Sequence, residues 1–251
     1  MDNATLPTTT VSAREVSGGV LDIHLTGGRR RNVLGRATIA RIEQLVSIPP
    51  EGTRSILFSA EGPDFCAGYD LLEASEGDPL DLLANEERFA SLRLSKVPIV
   101  AALHGNVIGG GMELALLADI RLAAPDVKFA IPASKLGLIY SEAGIRLIVN
   151  SVGENIARAL LLGGREINAD GALSIGLITE IVSRDCLEAR SLEVAKEVAS
   201  WSPLATSGNR ELLDFVVGRS SRVNRELRAA ISAPESELRI NIKSFLNKPR
   251  S

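Results

Sequence analysis

The chain has 251 residues, of which 45% are hydrophobic, and it carries a nearly balanced net charge of −3. This length and composition are typical of one large globular domain, or of one domain with a small appendage. The weak negative charge argues against a nucleic-acid-binding protein, whose affinity depends on many phosphate contacts. Two cysteines, Cys66 and Cys186, are too few and too far apart for a disulfide framework or a zinc site, so no metal is expected.

The first 15 residues are polar and include acidic side chains, and they are predicted to form a flexible tail. We expect no secretory leader there, because the apolar core of such a leader is lacking. No apolar segment of the sequence is long enough to cross a bilayer. A cytoplasmic protein with no membrane or nucleic-acid partner is therefore expected.

The first predicted strand is GVLDIHL (19–25), where apolar and polar residues alternate as in a half-exposed strand. His24 lies on its polar side and is interpreted as an ordinary surface histidine. The next segment, TGGRRRNVLG (26–35), is a predicted turn whose three arginines indicate a solvated charged segment or an anion contact. A helix is then predicted over 38–48 and a buried strand over 54–60.

Residues 61–75 are predicted to form a loop that enters a helix, and residues 80–95 are predicted to form another helix. The continuous apolar stretch 97–105 predicts a buried strand, and three glycines then lead into a helix over 112–118. Two short predicted strands follow, over 119–124 and 127–132.

The segment 133–144 is a predicted loop, and helices dominate from residue 145 onward. A strand-like stretch at 176–182 interrupts them, and 235–250 is predicted to form a terminal amphipathic helix. This order, with strand–strand–helix units first and helices last, indicates an α/β domain with a helical C-terminal portion.

The stretch GNVIGGGMEL (105–114) places three glycines at the start of a helix and a carboxylate shortly after them. It lacks the lysine and hydroxyl residue of a phosphate-binding loop, and its glycines are wrongly spaced for a dinucleotide-binding fingerprint. Close packing of the helix end against a strand is one explanation of the glycines. The other is an oxyanion hole, because a helix N-terminus exposes N–H groups that glycine leaves uncovered.

The oxyanion hypothesis uses two further features of the sequence. A thioester carbonyl bound at the helix start would have its enolate oxygen stabilised, and the glycine-opened turn FCAGYDL (65–71) could supply a second N–H group. Glu113 follows Gly110 by three residues, which positions its carboxylate for proton transfer at the adjacent carbons.

A family resemblance rests on three segments in order: FCAGYDL (65–71), the stretch 97–138, and NADGALSIGLITEIV (168–182). Together they resemble the enoyl-CoA hydratase/isomerase (crotonase) family. In addition, RRNVLG (30–35) resembles an early Arg-Asn segment at the CoA site of the same family. The resemblance implies a crotonase-like (ClpP/crotonase) spiral of β-β-α units over 1–195 and a helical C-terminal trimerisation region over 196–251. It also implies an acyl-CoA thioester substrate, no cofactor, and a homo-trimer or a hexamer formed as a dimer of trimers.

Carried over by position, the resemblance places the two oxyanion-hole amides on Tyr69 and Gly110 and the first catalytic glutamate on Glu113. The other positions implied for binding the acyl-CoA are Ala67, Asp70, Leu71, Arg30 or Arg31, Gly109, Tyr140, and Lys248 in the tail.

The sequence departs from the hydratase pattern at the second catalytic glutamate, whose position is occupied by Ala133. The loss of a positioned acid or base should lower hydration by about 10²–10⁴-fold. Glu142 is a candidate replacement, and a first-turn carboxylate that complements a helix dipole is the alternative. Tyr140 beside it either packs or orients substrate, and His104 is interpreted as a core or interface histidine.

The sequence thus predicts an enzyme that stabilises a thioester enolate, with an enoyl-CoA hydratase of altered second acid/base position as the leading hypothesis. An enoyl-CoA isomerase, or another enolate reaction such as decarboxylation, is the close alternative because Ala133 breaks the pair of carboxylates. A non-catalytic acyl-CoA-binding protein is the alternative from a different class.

Overall fold

The computed structural model describes residues 8–77, 88–89, 92–93, 95–220 and 236–246. Its strands are β1 (Thr10–Val16), β2 (Val20–Thr26), β3 (Ser55–Ala60), β4 (Ile99–Leu103), β5 (Asn106–Ile108), β6 (Ile120–Ala123), β7 (Lys128–Ala130), β8 (Glu166–Asn168) and β9 (Glu180–Ile181). Its α-helices are α1 (Arg36–Ser47), α2 (Leu71–Glu76), α3 (Gly110–Leu116), α4 (Ala133–Leu136), α5 (Glu142–Val152), α6 (Glu154–Leu161), α7 (Ala169–Ser174), α8 (Arg184–Ser200), α9 (Pro203–Val216) and α10 (Glu237–Leu246). A 3₁₀ turn occupies Gly28–Arg30.

A six-stranded sheet forms the centre of the fold, in the order β1-β2-β3-β4-β6-β9. β1 is antiparallel to β2, and the remaining neighbours in this sheet are parallel. The inner strands β3 and β4 are buried almost throughout, because both faces of a parallel sheet are covered. A second sheet has the order β5-β7-β8. Its strand β5 begins shortly after β4 and leads directly into α3.

The two faces of the central sheet bury different sets of side chains, because successive residues of a strand point to opposite faces. Ile23, Phe58 and Ala101 are in register with one another and face the main core. The alternate residues, such as Leu57 and Val100, form a smaller apolar cluster with the long helix α8. The strands therefore separate the main core from the surface that α8 covers.

Ion pairs join α9 to the central sheet through Asp119, which precedes β6. Arg210 Nε of α9 donates to Asp119 Oδ2 at 2.9 Å, and Arg93 Nη1 donates to Asp119 Oδ1 at 2.6 Å. Burial by itself raises the pKa of Asp119, but the two guanidinium groups and a hydrogen bond from the Ile99 N–H outweigh it and hold that pKa below its usual value. These bonds tie a C-terminal helix directly to the sheet.

Most predicted elements are confirmed, with ends that differ by a few residues. The strands predicted at 19–25, 54–60 and 97–105 are β2, β3 and β4, and the helix predicted at 112–118 is α3, which begins two residues earlier. The strand-like stretch at 176–182 is shorter than predicted and contains β9. The domain boundary predicted between 195 and 196 falls inside α8, and most of the helix predicted at 80–95 lies outside the described residues.

The flexible tail predicted for 1–15 is wrong from residue 10 onward, because β1 begins there. This strand exposes most of its side chains and is held by backbone pairing with β2 from Thr10↔Thr26 to Val16↔Val20, so its sequence carries little apolar pattern. The segment predicted as a loop over 133–144 contains α4 and the start of α5, and β5 and β8 were not expected. In the part of the chain that is described, no helix is both long and apolar enough to span a bilayer.

Candidate active site

Three backbone segments from distant parts of the chain meet beside the main core. Isolated parallel bridges pair Leu34 with Tyr69 and Cys66 with Val107. The Ile108 N–H donates to the Cys66 carbonyl at 3.0 Å, which fixes the second of these bridges. The arginine turn, the glycine-opened turn over 65–71 and β5 are thereby held side by side.

The two predicted oxyanion-hole amides lie where these segments approach one another. A Cβ placed on Gly68 would lie 2.8 Å from the Ile108 carbonyl oxygen and 3.8 Å from the Gly110 nitrogen. In the bridge to Leu34, the Leu34 N–H donates to the Gly68 carbonyl and the Asp70 N–H donates to the Leu34 carbonyl. Tyr69 lies between Gly68 and Asp70, so its own N–H lies on the side away from Leu34. Gly110 is the first residue of α3, where an N–H has no acceptor within the helix. The predicted pair of donors therefore comes from adjacent backbone segments.

The three glycines at the start of α3 meet different requirements. Gly109 has φ 52° and ψ −117°, a conformation that L side chains rarely adopt. A Cβ on Gly110 would lie 2.8 Å from Cε1 and Cζ of the Tyr69 ring, and a Cβ on Gly111 would overlap the Cys66 carbonyl oxygen. Close packing thus explains Gly110 and Gly111, and the same packing brings the start of α3 against the turn that carries Tyr69.

Glu113 lies in the first turn of α3 and is fully buried, with 0% of its surface exposed. Its Oε2 accepts a hydrogen bond from the Tyr69 hydroxyl at 2.9 Å. Its carboxylate is carried by the same helical turn as the Gly110 N–H. This arrangement suits a group that moves a proton next to a carbonyl whose oxygen is bound by that N–H.

The Tyr69 side chain is packed on several sides. Its ring stacks on Phe89 with centroids 6.2 Å apart and an interplanar angle of 19°, and it lies against the Cα of Gly110. Only 8% of the residue is exposed. The sequence predicted a role for the backbone of Tyr69 and none for its phenol, because side-chain contacts depend on the direction in which the ring points.

Arg30 and Asp70, both predicted to contact CoA, are bonded to each other. Arg30 Nη2 donates to both carboxylate oxygens of Asp70 at 2.6 Å. Asp70 also caps α2 by accepting from the Leu72 and Glu73 N–H groups. The pair therefore fixes the arginine turn to the start of α2, and contact with CoA stays a prediction for both residues.

Arg31 lies on the outside of the same turn, and its side chain is 58% exposed. Its Nε lies 3.2 Å from Oδ2 of Asp64. The Ala67 N–H donates to the Arg31 carbonyl at 3.0 Å, and Leu71 is the exposed first residue of α2. The predicted CoA positions in the two turns thus lie together, whereas Lys248 lies outside the described residues.

Ala133, Tyr140 and Glu142 follow β7 and lie in contrasting environments. Ala133 and Tyr140 are both buried in the main core. The Glu142 side chain is 84% exposed and forms an ion pair with Arg146, four residues later in α5. The structure brings Glu113 and Tyr69 together but gives Glu142 a surface position, as the helix-dipole alternative expects.

Sequence reasoning missed two residues that hold the site in place, Asp64 and Asn32. Asp64 is buried, and its Oδ1 accepts from the backbone N–H and the side-chain amide of Asn106 at 2.8 and 2.6 Å. Asn32 is also buried, and its side-chain amide donates to the carbonyls of Glu61 and Asp64 at 2.9 and 2.8 Å. Asn32 lies within the arginine turn and Asp64 directly precedes the glycine-opened turn, and these positions were the signal from which the two residues could have been found.

Cys66, His24 and His104 also carry side chains that could react or bind a metal, but none of them is assigned a role in the candidate site. Burial raises the pKa of the Cys66 thiol to about 12, so it stays protonated beneath Gly111. His24 is only partly exposed and its Nδ1 lies 2.8 Å from the Ser59 hydroxyl, so it is bonded within the sheet, and His104 is buried. Among the described residues, no three His, Cys, Asp or Glu side chains are grouped to hold a metal ion.

Comparison with known proteins finds relatives over most of the chain. The sequence model of the family described as "Enoyl-CoA hydratase/isomerase" matches residues 15–231. "Probable enoyl-CoA hydratase echA6" of Mycobacterium tuberculosis is 34% identical over 197 residues, which cover 78% of this chain and 79% of that protein. The 2,3-dehydroadipyl-CoA hydratase of Escherichia coli is 29% identical over 238 residues, covering 91% and 92% of the two chains.

The fold agrees as well. An enoyl-CoA hydratase crystal structure from Geobacillus kaustophilus superposes with a TM-score of 0.85 at 27% identity, covering 96% of this chain and 97% of the other. The predicted α/β crotonase-like fold is thereby confirmed, since a parallel-rich sheet with helices on both faces has such structures as neighbours. With matching sequence, matching fold and a glutamate beside a glycine-built helix start, the chain belongs to the enoyl-CoA hydratase/isomerase family.

Proposed function

We propose that the protein is an acyl-CoA enzyme that hydrates a 2-enoyl-CoA, or dehydrates the 3-hydroxyacyl-CoA, through a thioester enolate. One observation carries the proposal: Glu113 is fully buried on the same helical turn as Gly110 N–H, next to the turn that bears Tyr69 N–H. The hydratases among the relatives support an enoyl-CoA substrate.

In the proposed hydration, the oxygen of a water molecule adds to C3 while Glu113 accepts the proton that this water releases. The electrons of the C2–C3 double bond move onto the thioester oxygen, and the Tyr69 and Gly110 N–H groups bind the resulting enolate. Protonated Glu113 then delivers its proton to C2, and the enolate returns to the thioester. Each oxyanion donor contributes about 3 kcal/mol to transition-state stability in comparable sites.

Double-bond isomerisation is the second candidate, and Ala133 is the observation that favours it. A single carboxylate can remove a proton from C2 of a 3-enoyl-CoA and return it to C4, without a second group to activate water. The small side chain of Ala133 is buried, so it supplies no acid or base at that position. The two reactions differ in their products, a 3-hydroxyacyl thioester or a shifted double bond.

The proposal extends to the partners of this site. Arg31 supports a contact with a CoA phosphate, because its side chain is 58% exposed although its Nε pairs with Asp64. The Arg30 side chain is 13% exposed and is bonded to both oxygens of Asp70. The proposed steps use proton transfer and backbone N–H groups, and they call for no metal or redox cofactor. A homo-trimer, or a hexamer built from two trimers, is supported by exposed apolar residues on α9 and α10, among them Leu213, Val216, Ile240 and Leu246.

The test is the turnover of 2-enoyl-CoA and 3-enoyl-CoA esters of several chain lengths by the wild type and by Glu113→Gln. We expect Glu113→Gln to lower kcat by about 10²–10⁴-fold, because the amide cannot carry the proton. Circular dichroism and acyl-CoA binding should show that the variant folds and binds substrate. An unchanged rate in Glu113→Gln would remove this residue from the mechanism. Tight binding by a wild type that converts none of the esters would instead support a non-catalytic acyl-CoA-binding protein.

A further inference from the structure

The phenol of Tyr69 is not used in the mechanism above, which draws only on the backbone of that residue. Its hydroxyl nevertheless donates to Oε2 of Glu113 at 2.9 Å, inside the main core. Hydrogen bonds to an ionised carboxylate are stronger than those between neutral groups. The phenol is therefore in direct contact with the group that the proposed function assigns to proton transfer.

The position of this phenol is fixed by packing. The ring lies between Phe89, on which it stacks, and the Cα of Gly110, where even a methyl group would approach its carbons to 2.8 Å. Backbone bonds on both sides of Tyr69 hold the turn against Leu34. Since the ring is constrained on these sides, the hydroxyl keeps its direction toward Glu113 at little further cost in side-chain entropy.

Burial makes the hydrogen bond important for the charge on Glu113. Transfer of a carboxylate from water into a protein interior disfavours its ionised form unless hydrogen bonds compensate. Glu113 must be ionised to accept a proton, and it is fully buried. A donor held at 2.9 Å favours the ionised form and also fixes the rotamer of the carboxylate.

We propose that the Tyr69 phenol is a positioning residue for Glu113: it holds the carboxylate in its proton-accepting orientation and keeps it ionised, a role that rests on the proposed enolate function. Position 133 supplies no hydrogen-bond donor for this purpose, because it is occupied by a buried alanine. One residue thus contributes to both halves of the site, with its N–H at the enolate oxygen and its hydroxyl at the proton carrier.

The test compares the wild type with Tyr69→Phe, which keeps the ring and the backbone N–H and removes the hydroxyl. The readout is exchange of the C2 protons of a saturated acyl-CoA for deuterium in D₂O, followed by NMR, together with hydration of the matching 2-enoyl-CoA. In this exchange Glu113 takes a proton from C2, the electron pair moves to the thioester oxygen, and a deuteron acquired from solvent returns to C2. The exchange reports enolate formation without requiring water to add.

We expect Tyr69→Phe to lower kcat by about 10- to 100-fold with KM within about two-fold of the wild type, because a misplaced carboxylate affects the reaction more than binding. The acidic limb of the kcat/KM profile should move to higher pH by about one unit, since the ionised carboxylate loses a donor. A merely structural loss of stability would leave that limb in place.

A matched control is Ser59→Ala. Ser59 is a buried hydroxyl that donates to a buried carboxylate, Asp22, at 2.6 Å on the α8 side of the central sheet. Its loss should lower stability and leave exchange rates and the pH profile unchanged. If Tyr69→Phe does not fold, 3,5-difluorotyrosine at position 69 keeps the ring and the hydroxyl and makes the phenol more acidic, which changes the strength of its hydrogen bond to Glu113. Its kcat must then differ from that of the wild type.

The outcomes separate this inference from the proposed function. The wild type could exchange the C2 protons without catalysing hydration or isomerisation, and Tyr69→Phe could slow that exchange. This result would contradict the proposed reactions and support the role of the phenol. A wild type that neither exchanges nor converts acyl-CoA overturns both. Full activity and an unmoved acidic limb in Tyr69→Phe, or an unchanged kcat with difluorotyrosine, overturns the role of the phenol alone.

Discussion

The two carboxylates considered for proton transfer lie in different environments. Glu113 is buried beneath Tyr69, whereas Glu142 extends into solvent at the first turn of α5 and pairs with Arg146. An exposed carboxylate in a high-dielectric environment is a weak candidate for an acid/base whose strength must be tuned. Its position instead suits interaction with the positive end of a helix dipole.

Glu142→Gln should therefore change kcat by less than about three-fold and lower stability by less than about 1 kcal/mol, as expected for an exposed ion pair. Glu154→Gln is the matched control, because Glu154 also begins a helix and pairs with an arginine four residues later, Arg158. Steady-state kinetics and thermal unfolding of both variants provide the measurement. A ten-fold or greater loss of kcat confined to Glu142→Gln would restore the prediction that Glu142 is an auxiliary carboxylate.

The sequence was most informative about residues whose role depends on the backbone. The glycines at the start of α3 and in the turn over 65–71 indicated two backbone segments that approach closely, because glycine marks close backbone approach. The family resemblance then placed the two predicted N–H groups on Tyr69 and Gly110. The Tyr69 phenol and the environment of Glu142 depend on side-chain direction and on solvent exposure, which no local pattern encodes. Asp64 and Asn32 were missed for a related reason, since their partners are backbone groups brought near by the fold.

At the scale of elements, buried strands and long helices were predicted well, and exposed or short ones were not. β4 is a continuous apolar stretch and β3 has the apolar centre Ile-Leu-Phe, which a sequence shows directly. β1 exposes most of its side chains and depends on pairing with β2, so its formation is decided by a neighbour in space. The short strands β5 and β8 contain three residues each, too few for a periodic pattern.

The attachment of α9 to the sheet leads to a prediction about Asp119. Asp119→Asn should lower the free energy of unfolding by about 3–5 kcal/mol at pH 7, because it leaves Arg93 and Arg210 buried without their carboxylate. Urea unfolding measures this loss. Asp126→Asn, at an exposed turn, is the control and should change stability by less than about 0.5 kcal/mol.

The same substitution predicts a pH dependence. The pKa of Asp119 is lowered in the folded state, so its contribution to stability is present above its unfolded value of about 4 and is lost as the pH falls below that value. The difference in stability between wild type and Asp119→Asn should therefore shrink as the pH is lowered from 5 to 2. A difference that stays constant over this range would show that the carboxylate charge is not what joins α9 to the sheet.

At the scale of the whole molecule, apolar side chains are concentrated on the outside of the C-terminal helices. Leu213 and Val216 lie one turn apart on α9, and Val216 is 78% exposed. Leu238, Ile242 and Leu246 recur every four residues along α10, so they share one side of that helix. Exposed apolar patches of this kind commonly mark an interface between subunits.

We expect light scattering after size-exclusion chromatography to give a mass of three or six chains for the wild type. The double variant Leu213→Glu and Val216→Glu should shift the protein to smaller species, because charges would be buried at the interface. Ile48→Glu, at an equally exposed apolar position at the end of α1, is the control and should leave the mass unchanged. A monomeric wild type would contradict the proposed assembly.

The shared helical turn of Gly110 and Glu113 has a consequence for how such a protein diverges. The spacing between the proposed enolate-binding amide and the proposed proton carrier is set by α-helix geometry, and contacts of Gly110 and Gly111 with the neighbouring turn prevent that helix from shifting. The position of the Gly110 N–H relative to Glu113 is therefore difficult to change by substitution. New reactions are more accessible through position 133, the predicted place of the second acid/base group, where a buried alanine offers a directed-evolution experiment a small side chain to enlarge.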